Sequence, residues 1–389
     1  MARRARRPFA DGHVSTAAVV SAIKESGSTR SPLRIAGRST WLDAGRPVRA
    51  DKTLSLRDDS GVVSYVPGDL TLTVRAGTSL SEIERVTREH DQWLPLDPYG
   101  SNDGTIGATI ATASAGPLAS SFGLPRDLLL GLEFVNGRGE VVRGGGKVVK
   151  NVAGFDLSRL LTGSWGTLGV ITEVTVRLYA RPQADRSFVI RLAANEKESN
   201  AFLRPFLAAS FCPYALELLS ASAAFALGLG ERAVCLMRFG GNTAAVDAQL
   251  NAVSRIAGVE EVETSVWEAL RTLERGSGCV IRVTGLPGEF RSVSGSMLME
   301  QPSGILNYID PARGVLRLVV RAPNEHEESK EPVFGISTDM PPDERVVYET
   351  LPADVWSEVS PSVVADPLSR GIRKAYDPHD ILNPGILGD

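Results

Sequence analysis

Three turns in the first half of the chain join glycine to hydroxyl side chains, a combination that lets bare main chain approach an anion. Leu33–Thr40 (LRIAGRST) runs from an apolar strand into a polar turn. N–H groups freed at Gly37, Arg38, Ser39 and Thr40 could nest a phosphate there, although an ordinary strand-to-loop turn has the same residues. Gly104, Thr105, Ile106, Gly107 and Ala108 open a helix of small residues that continues to Ser114 and Gly116. The unpaired N–H groups at such a start favour an anion, and the small side chains leave room for something large; close helix–sheet packing would use them equally well. Gly163–Ile171 (GSWGTLGVI) feeds a strand. Main chain at Gly166, Leu168, Gly169, Val170 and Ile171 could bond a heterocycle edge or form a hairpin loop. Gly144-Gly145-Gly146 reads as a loop tip.

Other chemistries lack their residues. Gly137-Arg138-Gly139-Glu140-Val141-Val142 has no third glycine where a dinucleotide fingerprint needs one, and no GxxxxGK[ST] occurs. The four histidines (His13, His90, His326, His379) are scattered without metal-ligand spacing, though His379 sits in a tail motif. Cys212, Cys235 and Cys279 lack CxxC spacing, so an iron–sulfur cluster is not expected on this chain and buried apolar roles are. No Ser/His/Asp or Cys/His nucleophile can be assembled. Arg126 and Lys150 are candidate cations for a substrate carboxylate or an electron-rich ring, or else surface ion-pair partners; no catalytic base can be named.

The elements that must position these turns are short. A helix is predicted over 14–26, strands at 33–36, 52–56, 62–65 and 70–75, and helices over 80–90 and 105–114. Strands return at 128–135 and 168–178. Arg181-Pro182 marks a boundary. Strands at 214–219, 233–239, 259–263 and 279–285 then alternate with helices over 243–256 and 264–274, before a hairpin of 305–309 and 315–320. That alternation fits a ferredoxin-like α/β sandwich. Asn324–Glu331 (NEHEESKE) reads as a solvated loop, and 361–376 as a last helix. The expected divisions are 1–30 (tail and helix), 31–183, 184–360 and 361–389, in an α+β chain.

With 43% hydrophobic and 23% charged residues the 389-residue chain is not a disordered one, and a net charge of −4 gives no field for nucleic acid. No apolar run reaches a membrane span of about 18 residues. Arg3, Arg4, Arg6 and Arg7 lack the apolar stretch of an export signal, so a solvated basic tail and a cytoplasmic location are expected.

Read in order, these segments resemble the FAD-binding domain of the vanillyl-alcohol oxidase or p-cresol methylhydroxylase (PCMH) type, over roughly residues 31–183. Lys150–Leu157 (KNVAGFDL) with the turn at 163–171 is similar to the family's K-N-x-x-G-[YF]-D-L…G-S-x-G-x-L-G-[VI] pattern. Leu96-Asp97-Pro98 followed by Gly104-Thr105-Ile106-Gly107 stands where the family has "P…ATIGG", and Tyr376–Gly385 (YDPHDILNPG) resembles its closing segment. Within the family the likeness is to the small FAD-binding subunits of bacterial glycolate oxidases.

The resemblance implies a PCMH-type two-subdomain FAD-binding domain and a ferredoxin-like α/β cap, with the tail returning to the first domain. It places the pyrophosphate at 33–40, the ribityl chain and flavin at 95–108, and the adenine side or flavin edge at 166–171. Two departures matter. Gly37 stands alone where two or three glycines are usual, with Arg38 available as a charge contact, and Ala108 replaces a second glycine. No His or Cys lies in the loops where the superfamily sometimes attaches flavin, so FAD is expected to be non-covalent. The H-x-G-D-G-N-x-H segment of self-sufficient 2-hydroxy-acid dehydrogenases is missing. The implied function is therefore oxidation of a small 2-hydroxy acid such as glycolate within a complex, together with a larger FAD-linked catalytic subunit and an iron–sulfur subunit. Association with a membrane would be peripheral, through that complex. A structural subunit with a redox-silent or absent flavin, or a stand-alone FAD-linked alcohol oxidase, are the alternatives.

Overall fold

A computed structural model of the chain describes residues 15–146, 156–209, 211–288, 298, 304–321, 346–359 and 366–388. Helix α1 (Thr16–Thr29) begins where the Ser15 hydroxyl accepts the Ala18 N–H, and it buries Val19 and Ile23. Strands β1 (Leu33–Ala36) and β2 (Lys52–Ser55) pair in parallel, so the polar turn after β1 leaves the edge of a two-stranded unit. Next come β3 (Val62–Val66), β4 (Thr71–Arg75), α2 (Leu80–Arg88) and β5 (Gln92–Trp93). Helices α3 (Ile106–Thr112), α4 (Ala119–Phe122) and α5 (Pro125–Leu128) follow. The first domain closes with β6 (Leu129–Val135), β7 (Val141–Gly145), α6 (Leu157–Leu161), β8 (Val170–Arg177) and β9 (Tyr179–Ala180).

Five of these strands form one antiparallel sheet in the order β3-β4-β8-β6-β7. Its core holds Leu72, Val74, Phe134 and Val174, with Ile106 and Ile110 of α3 and Val19 and Ile23 of α1 packed on it. Gly144 and Gly145 are not a loop tip. They lie in β7 opposite Leu132 and Gly131. A side chain at Gly145, where φ is +73°, would meet the Leu130 carbonyl at 2.2 Å, so glycine is what lets these two strands approach.

In the second domain β10 (Ala184–Arg191), α7 (Glu196–Leu207), β11 (Ala215–Leu219), α8 (Ala221–Ala226), β12 (Val234–Gly241), α9 (Thr243–Ser254) and β13 (Glu260–Val262) follow in turn. Their strand order β13-β10-β12-β11 is that of a ferredoxin-like unit. Helix α10 (Val266–Thr272) leads to β14 (Ser277–Thr284), β15 (Ile305–Asp310), β16 (Val315–Arg321) and β17 (Val346–Thr350), which extend the sheet to eight strands. Sequence periodicity misses β10 and α7. Asp185, Arg186 and Arg191 interrupt the apolar pattern of the strand, and Pro205 lies inside the helix.

One face of this sheet packs on its own helices through Phe188, Met237 and Ile281. The other face carries Val189, Leu236, Tyr308 and Val319, and its core takes in Tyr99 from the first domain. Cys235 and Cys279 are buried in the first of these cores, whereas Cys212 is exposed. The last helix, α11 (Pro367–Tyr376), is capped by Asp366, whose carboxylate accepts the Leu368 and Ser369 N–H groups. The tail then returns to the first domain, with Leu382 bridged in parallel to Leu33. No helix among the described residues is long and apolar enough to cross a membrane. The loop at 324–331 and the residues around Lys150 lie outside the described residues.

Candidate cofactor site

A groove follows the turn after β1, passes along α3 and ends at the turn before β8. In the first turn Ser39 adopts φ +60°, the left-handed conformation that an anion-binding concavity of successive N–H groups uses. Gly37 lies against Thr105: a side chain there would meet the Thr105 hydroxyl at 2.3 Å, and that hydroxyl caps α3 by accepting the Ala108 N–H at 3.3 Å. Helix α3 turns Ile106 and Ile110 into the core, so Ala108, Ala111 and Thr112 are left facing the groove as a surface without bulk. Trp41 and Trp165 flank it with ring centroids 6.0 Å apart.

Asn383 locks the two ends together. Its Oδ1 accepts the Ile35 N–H and its Nδ2 donates to the Trp165 carbonyl, both at 2.7 Å. Ser39, Ala113, Trp165 and Asn383 hold left-handed φ values of 60, 54, 53 and 45°, four of the eight non-glycine residues so placed among the described residues. Concentrated on or beside one groove, such conformations mark a site that the surrounding structure over-determines.

Thirteen of the residues proposed from the sequence line this groove: Gly37, Arg38, Ser39, Thr40, Pro98, Gly104, Thr105, Gly107, Ala108, Ser114, Gly166, Gly169 and Ile171. Others stand behind it. Ile106, Leu168 and Val170 are core residues, and Gly116 packs its bare Cα on Asp97. Leu96 and Asp97 face a second cleft between the domains. Arg126 is exposed beside Asp127 at 3.8 Å and does not reach the groove. Lys150 lies outside the described residues. His379 is exposed, next to Gly27 of α1. Trp41, Tyr99 and Trp165 line the groove but were not singled out, since aromatic residues in turns carry no periodic signal.

Residues 14–145 match the FAD binding domain family. Glycolate oxidase subunit GlcE of Escherichia coli (strain K12) is 33% identical over 259 residues, which are 65% of this chain and 67% of that protein. The chain belongs to the PCMH-type FAD-binding family. A second relative in the family, glycolate oxidase subunit GlcD of Bacillus subtilis (strain 168), is 32% identical over 191 residues, 49% of this chain but only 40% of that protein. The structure of p-cresol methylhydroxylase with substrate bound superposes with a TM-score of 0.66, covering 96% of this chain and 87% of that one at 15% identity, so there the likeness is of fold.

As a PCMH-type protein the chain is an FAD-dependent oxidoreductase, and the groove fits its cofactor. The concave turn at Ser39 suits a diphosphate, the bulk-free face of α3 admits a long ligand, and the indoles offer flat apolar contact to rings. The chemistry that FAD supplies when bound is the acceptance and release of electrons. The chain's own contribution is to bind, orient and wall off.

Asp97 stands behind that wall, in the cleft between the domains. Burial pushes its carboxyl up to about 6, against the opposing pull of Arg271 and of the Leu118 N–H that it accepts at 3.1 Å. A carboxyl raised from an ordinary 3.8 binds its proton more tightly folded than unfolded. The stability it lends is complete below about pH 4 and is lost as pH rises through about 6, some ~3 kcal/mol in all. Asp97→Asn is therefore expected to flatten the pH dependence of stability of the FAD-free protein between about pH 4 and 6, as measured by urea unfolding. An unchanged slope would refute the assignment.

Proposed function

We propose that the chain is the FAD-binding subunit of a complex that oxidises a small 2-hydroxy acid, glycolate being the leading candidate. In this reading a larger FAD-linked subunit carries out substrate oxidation and an iron–sulfur subunit takes the electrons onward. Kinship to GlcE across two thirds of that protein is the observation that carries the reading. It agrees with the sequence, whose four histidines are too scattered to supply a metal and substrate motif, so that this role falls to another chain. The groove is lined by neither His nor Cys among the described residues, which supports a dissociable flavin.

The test compares the isolated chain with the chain co-expressed alongside its neighbouring flavoprotein and iron–sulfur partners. Glycolate-dependent reduction of an artificial dye is expected only from the assembled complex, although the isolated chain takes up FAD. Dye reduction by the isolated chain would make it a stand-alone oxidase. A complex whose turnover is untouched when this groove cannot hold FAD would make it a structural subunit.

A further inference from the structure

The inner face of the cap sheet carries a buried ionic cluster directly behind the groove. Arg317 of β16, only 3% exposed, is held between two carboxylates. Its Nε and Nη2 donate to Glu274, and Nη1 and Nη2 donate to Glu349. The Tyr308 hydroxyl donates to Glu274 as well, and Arg282 Nε donates to Glu349 at 2.8 Å. Both acids thus share two arginines and a phenol. With four of its five N–H donors engaged by the acids, the guanidinium is fixed in plane and presents its face.

That face meets Tyr99, with the guanidinium carbon 3.7 Å from the ring centroid. Tyr99 is a groove residue of the first domain. The main chain around it is gripped by the same cap: Arg271 Nη1 donates to the Pro98 carbonyl at 3.0 Å, and the Gly100 N–H donates to the Arg271 carbonyl at 2.8 Å. One side of the Tyr99 ring is therefore stacked on a rigid cation, and the segment that carries it is pinned before and after.

We propose that Arg317 is a positioning residue for the flavin cofactor, acting through Tyr99, whose ring it holds as a fixed cap-side wall of the FAD groove. The inference rests on FAD occupying this groove and is independent of the substrate. Desolvated stacking of this kind is strong enough to order a side chain. Lysine, a point charge on a flexible stem, would keep the sign but lose both the planar face and the four-point engagement of the acids.

The test uses the full chain and FAD titrated by flavin fluorescence, with visible circular dichroism reporting the asymmetry around the ring. Tyr99→Leu leaves the ionic cluster intact and is expected to weaken FAD binding about tenfold and change the flavin-band dichroism, and Tyr99→Phe to recover most of both. Arg317→Lys is expected to weaken binding by a similar factor, yet to add nothing in the Tyr99→Leu background, since two residues acting through one contact are not additive. Thermal unfolding of each FAD-free variant separates folding losses from binding losses. If Arg317→Lys does not fold, the Tyr99 pair decides alone. Wild-type affinity and dichroism in Tyr99→Leu or in a folded Arg317→Lys, or factors that multiply in the double variant, would overturn the proposal. A wild-type chain that takes up no FAD would instead overturn the cofactor assignment itself, and this with it.

Discussion

Gly116→Ala is expected to cost about 3 kcal/mol or more of stability and to abolish FAD retention, although it adds a single methyl group. The reason is what stands opposite. An ideal Cβ at Gly116 falls 2.0 Å from the Asp97 carbonyl oxygen and 3.0 Å from its carboxyl group. The nearer of the two is a backbone oxygen, so main chain must move. Three constraints oppose the movement: the Leu118 N–H bonded to Asp97 Oδ2, the Arg313 Nη1 bonded to the Gly116 carbonyl at 3.0 Å, and Arg271 on Pro98. The segment that would yield runs straight into Pro98, Tyr99, Gly100 and Ser101, all of which line the groove. The roughly 0.4–1 kcal/mol that glycine-to-alanine returns through the unfolded chain does not offset this. Urea unfolding of the FAD-free protein and the flavin content after purification are the measurements. A variant as stable as wild type that keeps its flavin would show that the two segments are not packed as described.

Asn383→Leu is the second large effect, expected near 4 kcal/mol. The side chain is nearly isosteric but loses both 2.7 Å hydrogen bonds, leaving the Ile35 N–H and the Trp165 carbonyl without their partner at about 1–2 kcal/mol each. Leucine also tolerates the observed φ of 45° less well than asparagine, by roughly 1 kcal/mol. Ile35 of β1 and Trp165 of the turn before β8 both line the groove, so FAD affinity should fall with stability. Asn383→Asp keeps the acceptor for Ile35 but sets a carboxylate against the Trp165 carbonyl, and an intermediate loss is expected. Equal melting temperatures for wild type and Asn383→Leu would mean that the tail does not brace the site.

The two variants also mark the limits of what could be read from residue order. The LRIAGRST, DGTIGA and GSWGTLGVI segments announced their turns because glycine beside Ser or Thr has few other uses in such a pattern. Most of their residues do line one groove. The exceptions, Ile106, Leu168 and Val170, alternate with lining residues along the same helix or strand entry. Segment-level resemblance could not assign each to the groove or to the core. Gly116 looked like a site residue and is a packing residue, because its partner, Asp97, lies outside the helix and turn that give the local signal. Gly144 and Gly145 looked like a flexible tip and are strand, because close approach of two strands demands the same residue that a loose tip does. Arg126 had the right charge and the wrong address.

The order and type of most elements, the glycine-bearing turns and the kinship to FAD-binding proteins were determined by the sequence alone, since propensity, punctuation and motif spacing are local properties. Only the tertiary structure decided which face of α3 meets the groove, that Asn383 ties its two ends together, and that a cap-sheet arginine stacks on Tyr99. Those contacts join residues up to 348 positions apart. Burial, hydrogen bonding and stacking at such separations depend on where the chain returns, which no local pattern encodes.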